Sequence, residues 1–457
     1  MERKATSNLG QWLTSPRRKP LIIRGARQVG KSTLVRMLAE GAGRRLIAVN
    51  LERHAELDSV FATLDLAKII PALESLPGSG RITDDDILFL DEIQATPHAL
   101  AALRYFHEER PQLAVVAAGS LLEFVLADHD FAMPVGRVRF LHLHPMDFEE
   151  FLTAVDEPVL LERLRTLTPE GGIDAVAHSR LRELFTLYSF VGGMPEAVST
   201  WVDTRSPVAV REAQSGLIDT YKADFAKYGL RQDMPDLHLL FDRAARNVGR
   251  KVKYAALLAD EQSRTVRRLL NLLIAARLFY RVHHADCQGM PLRAGIDDRV
   301  YKLLMLDVGL FNAVRRYEWS SAKGELEESV AHRGALAEQL VGQELLASGV
   351  TGSADELVYW LREGRGNNAE VDYVIAAGGK AVPIEVKSGE TGSLKSLFVF
   401  AQTHRSRRAV RLDLGVPTLR PAAHAKGNEK AKATEIELLS LPIYAAGQLG
   451  RILGDDL

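Results

Sequence analysis

The sequence contains a single cysteine, Cys287, among 457 residues, which excludes an intrachain disulfide and a zinc site with several cysteine ligands. A long apolar run is also lacking. The most hydrophobic stretch, residues 113–127, is too short to span a bilayer and contains Glu123. The first twenty residues have no apolar segment of the kind found in signal peptides. We therefore expect a cytoplasmic protein without a membrane partner.

A strong net charge is absent too. Lys and Arg together number 58 and Asp and Glu 59, so the formal charge of −1 argues neither for nor against a nucleic-acid partner. The apolar fraction of 46% and the charged fraction of 26% are those of an ordinary globular protein. A chain of this length is too long to pack around a single hydrophobic core, and we expect about three or four packing units.

The N-terminal part contains a phosphate-binding pattern. An apolar run at 21–24 predicts a buried strand, and residues 31–40 predict a helix. The loop between them reads GARQVGKS, which is the P-loop pattern in its strand-then-helix context. Backbone N–H groups of such a loop and the helix N-terminus bind phosphates. The predicted ATP-binding residues are Gly25, Ala26, Arg27, Gln28, Val29, Gly30, Lys31, Ser32, Thr33, Asp91 and Ser120.

Two acidic residues complete this predicted ATP site. Residues 87–90 form a second apolar run, which ends in Asp91 and Glu92. Lys31 would reach the terminal phosphates, and the Ser32 hydroxyl would ligate Mg²⁺. Asp91 would hold the water shell of that ion, while Glu92 would polarise the attacking water. The pattern therefore predicts ATP binding and Mg²⁺-dependent hydrolysis.

Two further residues have alternative interpretations. A third strand ends at Ser120, where the hydroxyl would sense the γ-phosphate or simply terminate the strand. Arg137 follows the core in the segment MPVGRVRF. It would act as an arginine finger, within its own chain or in a neighbouring subunit of a homo-oligomer, or it is a solvated loop arginine.

Five motifs carry a resemblance to a known family: GARQVGKST, LFLDEIQ, AAGSLLEF, GRVRFLHLHPMDFEEF and FVGGMPEAV. The chain resembles a large bacterial and archaeal family of AAA-type ATPases whose C-terminal domain is related to restriction-endonuclease-like nucleases. The resemblance extends over almost the whole chain. With the patterns below, it implies an α/β protein with a P-loop NTPase core at 1–150, a helical lid at 151–235, a winged helix at 236–330 and a nuclease-like domain at 331–457.

The middle of the chain is predicted to be helical. Apolar spacing from 151 to about 236 is typical of helices, and the adjacent glycines of VGGMPEAV either form a tight turn or approach the nucleotide. Residues 263–278 predict an amphipathic helix, and the extended FYRVHH after it would form the wing of a winged helix.

Basic residues are concentrated around this winged helix. Arg264, Arg267 and Arg268 lie on its predicted recognition helix. They would contact nucleic acid, DNA more readily than RNA, or form a charged solvated face. The basic residues of the segment are Arg243, Arg246, Arg250, Lys251, Lys253, Arg264, Arg267 and Arg268.

The C-terminal part contains a second polar constellation. We expect an amphipathic helix at 333–349 that carries Glu338, followed by three antiparallel strands, with Pro383 at the beginning of the third. Alternation along that strand places Glu385 and Lys387 on one face, and Asp372 enters the neighbouring strand.

These residues predict a metal site. Asp372, Glu385 and the carbonyl of residue 386 would ligate one Mg²⁺ or Mn²⁺, and Glu338 would complete the ligand set. Lys387 would act in catalysis by orienting or deprotonating water, or by stabilising charge on a phosphoryl oxygen. The arrangement is similar to the PD-(D/E)xK nuclease core, although no proline directly precedes Asp372.

Three functions are compatible with these patterns. The first is an ATPase whose nucleotide state controls a metal-dependent nuclease acting on nucleic acid. The second is an ATP-driven regulatory switch whose C-terminal domain only binds a partner. The third is a nucleic-acid translocase, which would hydrolyse ATP on a polymer without breaking strands.

Overall fold

A computed structural model describes the protein over residues 1–126, 136–317, 319, 334–350, 357–364, 368–387, 394–424 and 434–454. The chain divides into two compact units. The first consists of Met1–His144 with Ala275–Arg277, and the second of Pro145–Ile274 with Leu278–Leu457. The sequence also predicts an acidic linker at 324–329 and a basic flexible excursion at 424–433; the first, and all of the second except residue 424, lie outside the described residues.

The first unit has a five-stranded parallel sheet with the strand order β2-β3-β4-β1-β5. Its strands are β1 Leu21–Arg24, β2 Leu46–Asn50, β3 Ile87–Asp91, β4 Ala114–Ala118 and β5 Arg139–His142. Its helices are α1 Ala5–Thr14, α2 Lys31–Ala42, α3 Leu57–Phe61, α4 Leu66–Glu74, α5 Pro97–Glu109 and α6 Leu122–Leu126.

Burial along these strands shows that the sheet is covered on both faces. Strand β4 is buried at every position, and β3 at every position except its last. Parallel sheets are usually covered in this way. Because all five strands run the same way, the ends of β1, β3 and β4 meet at one edge, where the predicted ATP-site residues lie. The predicted P-loop NTPase core is confirmed.

The second unit begins with helices, as the apolar spacing predicts. They are α7 Phe148–Ala154, α8 Pro158–Arg165, α9 Ala175–Val191, α10 Pro195–Thr204, α11 Pro207–Asp224, α12 Met234–Arg246, α13 Tyr254–Leu257 and α14 Ser263–Ala275. Between α9 and α10 the chain turns at Gly192, whose φ is 77°. The N–H of Gly193 donates to Asp307 Oδ2 at 2.6 Å, and its carbonyl accepts from the N–H of Met146 at 2.7 Å. The two glycines thus form a tight turn packed within this unit.

An eight-stranded mixed sheet follows, with the order β12-β13-β11-β10-β9-β8-β6-β7. Its strands are β6 Phe279–Ala285, β7 Ile296–Met305, β8 Val358–Arg362, β9 Ala369–Ala377, β10 Lys380–Val386, β11 Arg408–Asp413, β12 Thr418–His424 and β13 Thr434–Pro442. The remaining helices are α15 Val308–Val314, α16 Gly334–Ala347, α17 Lys395–His404 and α18 Leu449–Gly454. Strands β8, β9 and β10 are antiparallel neighbours, as predicted.

The segment FYRVHH, predicted to be the wing of a winged helix, forms strand β6 of this sheet. Strand β6 lies between β7 and β8 and is hydrogen-bonded to both. Its residues Phe279 and Val282 are buried, which favours an interior strand. Strands from both sides of residue 330 therefore share one sheet. The predicted domain boundaries at 150, 235 and 330 remain predictions.

Two smaller expectations were wrong. Pro383 is not at the beginning of its strand, because β10 starts three residues earlier, at Lys380. Pairing of β10 with β11 begins only at Ile384, so the missing N–H of Pro383 precedes that ladder. Helix α16 is not amphipathic: almost every residue from Leu336 to Leu346 is buried. Among the helices that the structure describes, none is long and apolar enough to cross a membrane.

Candidate functional site

The loop between β1 and α2 is held in its conformation by close backbone packing. A Cβ atom on Gly25 would lie 2.3 Å from the carbonyl oxygen of Leu143, so only glycine fits there. Gly30 has a φ of 95° and precedes the first residue of α2. The guanidinium of Arg3 donates to the carbonyls of Val29 at 2.9 Å and His144 at 2.6 Å. Contacts with neighbouring parts of the chain therefore fix the conformation of this loop.

Three predicted residues converge beside this loop. Lys31 Nζ donates to the carbonyl oxygens of Gly25 at 3.0 Å and Ala26 at 2.8 Å. The Ser32 hydroxyl donates to Asp91 Oδ2 at 2.8 Å. Burial lowers the pKa of Lys31 to about 8, although the nearby carboxylates raise it. An anion placed against this ammonium would compensate for its burial.

Glu92 is held by an unusual backbone conformation and by hydrogen bonds to its carboxylate. Its φ of 52° is in the left-handed region, which non-glycine residues rarely adopt. One carboxylate oxygen, Oε2, accepts hydrogen bonds from Gln94 Nε2 at 2.6 Å and from the Ser120 hydroxyl at 3.3 Å. Gly119 leaves room for the Gln94 side chain, because a Cβ there would lie 2.2 Å from Gln94 Oε1. Ser120 thus touches the predicted general base.

Mg²⁺ fits the donors at this edge of the sheet. The Ser32 hydroxyl and the Asp91 carboxylate are already within hydrogen-bond distance of each other. Mg²⁺ is usually held by one or two such oxygens together with water and substrate phosphates. Burial raises the pKa of Asp91, and the hydrogen bond from Ser32 opposes that shift. A divalent cation would stabilise the ionised carboxylate in the same way.

The other predicted site residues of the first unit do not take part in the hydrogen bonds of Glu92 and of the Ser32–Asp91 pair given above. Arg137 donates from Nε to Glu108 Oε1 at 2.9 Å, and its side chain is 48% exposed. This arrangement favours a solvated loop arginine over a finger. Ala26 and Val29 are buried, Arg27 is partly buried, and Gln28 and Thr33 are exposed.

Two residues of the site were not predicted from the sequence. Arg3 donates hydrogen bonds that fix the loop, and Gln94 donates one to the Glu92 carboxylate. An ion-pair cluster in the same unit was not predicted either. The carboxylate of Glu123 on α6 pairs with Arg24 at the end of β1 and with Arg277, whose Nη2 lies 3.0 Å from Glu123 Oε1. Gln94 belongs to the motif LFLDEIQ and had a local signal, whereas nothing near Arg3 or Arg277 in the sequence distinguishes them.

The predicted C-terminal residues also converge. Asp372 Oδ2 accepts from the backbone N–H of Val386 at 2.8 Å, which brings β9 and β10 together at this point. Lys387 donates to Glu385 Oε1. Burial raises the pKa of Asp372 and of Glu385, and that of Glu338, which neighbours Asp372. The prediction that these side chains share one face is therefore consistent with the geometry.

A residue that the sequence did not suggest lies inside this cluster. Lys302 on β7 is 3% exposed, and its Nζ pairs with Glu370, with Glu338 Oε2 at 3.3 Å and with Asp372 Oδ1 at 3.9 Å. Burial alone would lower the pKa of Lys302, but these carboxylates outweigh burial and raise it above its usual value. The lysine is therefore a cation at neutral pH.

The predicted metal site does not fit these donors. Within the ranges that the structure describes, no three Asp, Glu, His or Cys side chains are arranged to hold a metal ion. The carboxylates of Glu338 and Asp372 form ion pairs with the Lys302 ammonium. Glu385 Oε1 forms an ion pair with the Lys387 ammonium. Glu385 Oε2 is buried and has no hydrogen-bond partner among the described residues. An Mg²⁺ or Mn²⁺ ion here would compete with two ammonium groups for the same carboxylate oxygens.

The basic residues around α14 divide into two sets. Arg268 forms a double hydrogen bond to Asp233, at 2.7 and 2.8 Å, and Lys251 pairs with Glu363. Arg243 donates to the carbonyl of Leu257. Two arginines of α14, Arg264 and Arg267, are exposed, as are Arg246, Arg250 and Lys253.

Comparison with known families matches three models to the chain. An AAA domain matches residues 17–152, and two domains of unknown function, DUF8612 and DUF4143, match residues 182–321 and 333–436. The search of curated proteins found no match. Neither domain of unknown function supports the nuclease assignment, which remains a hypothesis.

Solved structures with some likeness to the chain include the RuvB Holliday junction branch migration motor of Thermotoga maritima. It is 16% identical to this chain and has a TM-score of 0.30. The match covers 62% of this chain and 90% of the RuvB chain. The ORC2 protein of Aeropyrum pernix is 15% identical to this chain and has a TM-score of 0.31. The match covers 69% of this chain and 93% of the ORC2 chain. Likeness at this level says nothing about what the present chain binds. Residues 17–152, by their family match and their sheet order, form an AAA-type P-loop ATPase domain.

Proposed function

We propose that this protein is an ATP-driven regulatory switch, in which the first unit binds and hydrolyses ATP with Mg²⁺ and the second recognises a partner without cutting it. The observation that carries the ATPase part is the convergence of Lys31, Ser32, Asp91, Glu92 and Ser120 at one sheet edge. These residues come from the ends of three neighbouring strands. Their placement matches the separate tasks that ATP hydrolysis requires.

Each residue has a distinct role in this proposal. Lys31 would orient the terminal phosphates, and the N–H groups of the loop would bind them. Ser32 and Asp91 would hold Mg²⁺, which neutralises phosphate charge when bound. Glu92 would accept a hydrogen bond from the attacking water and so orient it. Gln94 would keep the Glu92 carboxylate in place, since it already donates to Oε2 at 2.6 Å.

The second unit favours binding over cleavage. Its predicted catalytic group, Lys387, is paired with Glu385, and a second lysine, Lys302, lies among the carboxylates proposed as metal ligands. A nuclease that uses a metal needs those oxygens for the ion. The convergence of Asp372, Glu385 and Lys387 still resembles a nuclease core. The nuclease is therefore the outcome that would overturn this part of the proposal.

The test combines two measurements on the full chain. Wild type should hydrolyse ATP in the presence of Mg²⁺, and Lys31→Ala should lose that activity because no ammonium reaches the phosphates. Labelled single- and double-stranded DNA and RNA, incubated with Mn²⁺, should remain intact. Cutting by wild type that is lost in both Asp372→Ala and Lys387→Ala would establish a nuclease. ATP turnover unchanged in Lys31→Ala would refute the ATPase.

Nucleic acid is the partner that the exposed arginines favour, and DNA is the form we propose. Arg264 and Arg267 lie on α14 with solvent-exposed side chains, and both would contact phosphates. Replacing both by alanine should weaken duplex DNA binding at all sequences and reduce the slope of log affinity against log salt by about two.

The matched control removes two exposed cations elsewhere in the same unit, through Arg163→Ala and Lys380→Ala. Its salt slope should stay at the wild-type value. If control and test lowered the slope equally, α14 would not be the contact surface. Whether the protein forms a homo-oligomer in which Arg137 acts in trans remains a prediction.

A further inference from the structure

Lys302 contacts the C-terminal carboxylates from a strand that is distant from them in sequence. It lies on β7, whereas Glu338 belongs to α16 and Glu370 and Asp372 to β9. Its Nζ pairs with all three carboxylates, two of them at 3.3 and 3.9 Å. The side chain is 4% exposed. One ammonium thus connects β7 with α16 and β9, which bear the predicted metal ligands Glu338 and Asp372.

The surroundings of Lys302 suit a permanently charged group. Its Nζ lies 5.0 Å from the centroid of the Tyr359 ring on the intervening strand β8, where the ring face attracts a cation. The ammonium has three N–H donors, and three carboxylates surround it. A buried lysine without such partners would be costly; here Glu338 and Glu370 accept hydrogen bonds from it, and Asp372 adds a negative charge at 3.9 Å.

Four of the carboxylate oxygens that a divalent cation would use already face an ammonium or an N–H group. Asp372 presents Oδ1 to Lys302 and Oδ2 to the backbone N–H of Val386. Glu338 presents Oε2 to Lys302, and Glu385 presents Oε1 to Lys387. A divalent cation bound among them would lie beside the Lys302 ammonium, and the two positive charges would repel each other strongly in this buried setting.

We propose that Lys302 is the resident cation of this cluster and holds the position predicted for a divalent metal, so that the wild-type protein binds no metal there. The ammonium neutralises the carboxylates of Glu338, Glu370 and Asp372 and fixes β7 against α16 and β9. This inference goes beyond the proposed switch and does not depend on ATP hydrolysis.

The experiment is a Mn²⁺ titration of the nucleotide-free full chain, with free Mn²⁺ followed by electron paramagnetic resonance. Weak binding at the ATP site is common to all variants and cancels in the comparison. Asp372→Asn should leave the wild-type isotherm unchanged, because Asp372 faces an ammonium. If Asp372 were a metal ligand, its loss would weaken binding by about tenfold or more, and that result would overturn the inference.

A second comparison removes the lysine. Lys302→Ala frees both the space and the carboxylates, and it should gain one Mn²⁺ site that the double variant Lys302→Ala with Asp372→Asn lacks. A folded Lys302→Ala protein that binds no additional Mn²⁺ would also contradict the inference. Should Lys302→Ala fail to fold, the comparison of wild type with Asp372→Asn still decides. Either result is independent of the ATPase assay.

Discussion

Replacing Glu92 by glutamine should lower ATP turnover by about 10²- to 10⁴-fold, the usual contribution of a general base. Glutamine has the same shape, and its amide oxygen would still accept hydrogen bonds from Gln94 and Ser120. The neutral amide, however, polarises water far less than a carboxylate. ATP affinity should change little, because phosphate binding is assigned to the loop and Lys31. Phosphate release measures turnover, and a fluorescent ATP analogue measures affinity.

The matched control is Glu109→Gln, which removes one exposed carboxylate from the end of α5 in the same unit. It should turn over ATP at the wild-type rate. Wild-type turnover in Glu92→Gln would show that another group orients the water. A loss of affinity as large as the loss of turnover would instead show that Glu92 acts in binding, contrary to the role assigned here.

The ATP site was predictable because its signals are local. A buried strand, a glycine-bearing loop and a helix start follow one another within residues 21–32, and the fold only has to keep them in that order. Asp91 and Glu92 directly follow a fully apolar run, and in a parallel sheet such ends meet at one edge. Arg3 was not predictable, since its contact with the loop depends on how α1 packs.

The C-terminal site was predictable only in part, for the same physical reason. Asp372, Glu385 and Lys387 lie on adjacent antiparallel strands joined by a short turn, so strand alternation places them together. Lys302 comes from β7, which reaches this sheet through β6 and its pairing with β8. That register is set by long-range contacts and leaves no trace in the spacing of residues. The pairing of the predicted wing segment, β6, with β8 was not predictable for the same reason.

Replacing Lys302 by methionine should reduce the free energy of unfolding by about 3–5 kcal/mol near neutral pH, the usual effect of removing one partner from a buried ion pair. Methionine keeps most of the side-chain volume, so a cavity contributes little. The loss arises because Glu338, Glu370 and Asp372 would lose their buried counter-charge, so that they either stay ionised without compensation or take up protons at a cost in free energy. Thermal and denaturant unfolding of the full chain would measure it.

The control is Lys380→Met, which removes an exposed lysine from β10 of the same sheet and should change stability by less than about 0.5 kcal/mol. Equal losses in the two variants would show that the buried position of Lys302 does not matter. A Lys302→Met protein as stable as wild type would show that its carboxylates are already protonated or otherwise paired.

The stability difference between Lys302→Met and wild type should also depend on pH. In the variant, the folded-state pKa values of the buried carboxylates lie above their unfolded values, because burial already raises those of Glu338 and Asp372 in wild type. The folded variant therefore takes up protons as the pH falls, and its stability deficit should shrink from pH 8 towards pH 5. In wild type the pKa of Lys302 is raised, so its ammonium stays charged throughout this range and its stabilising contribution is constant. A deficit that grew on acidification would contradict the role of Lys302 as the counter-charge of these carboxylates.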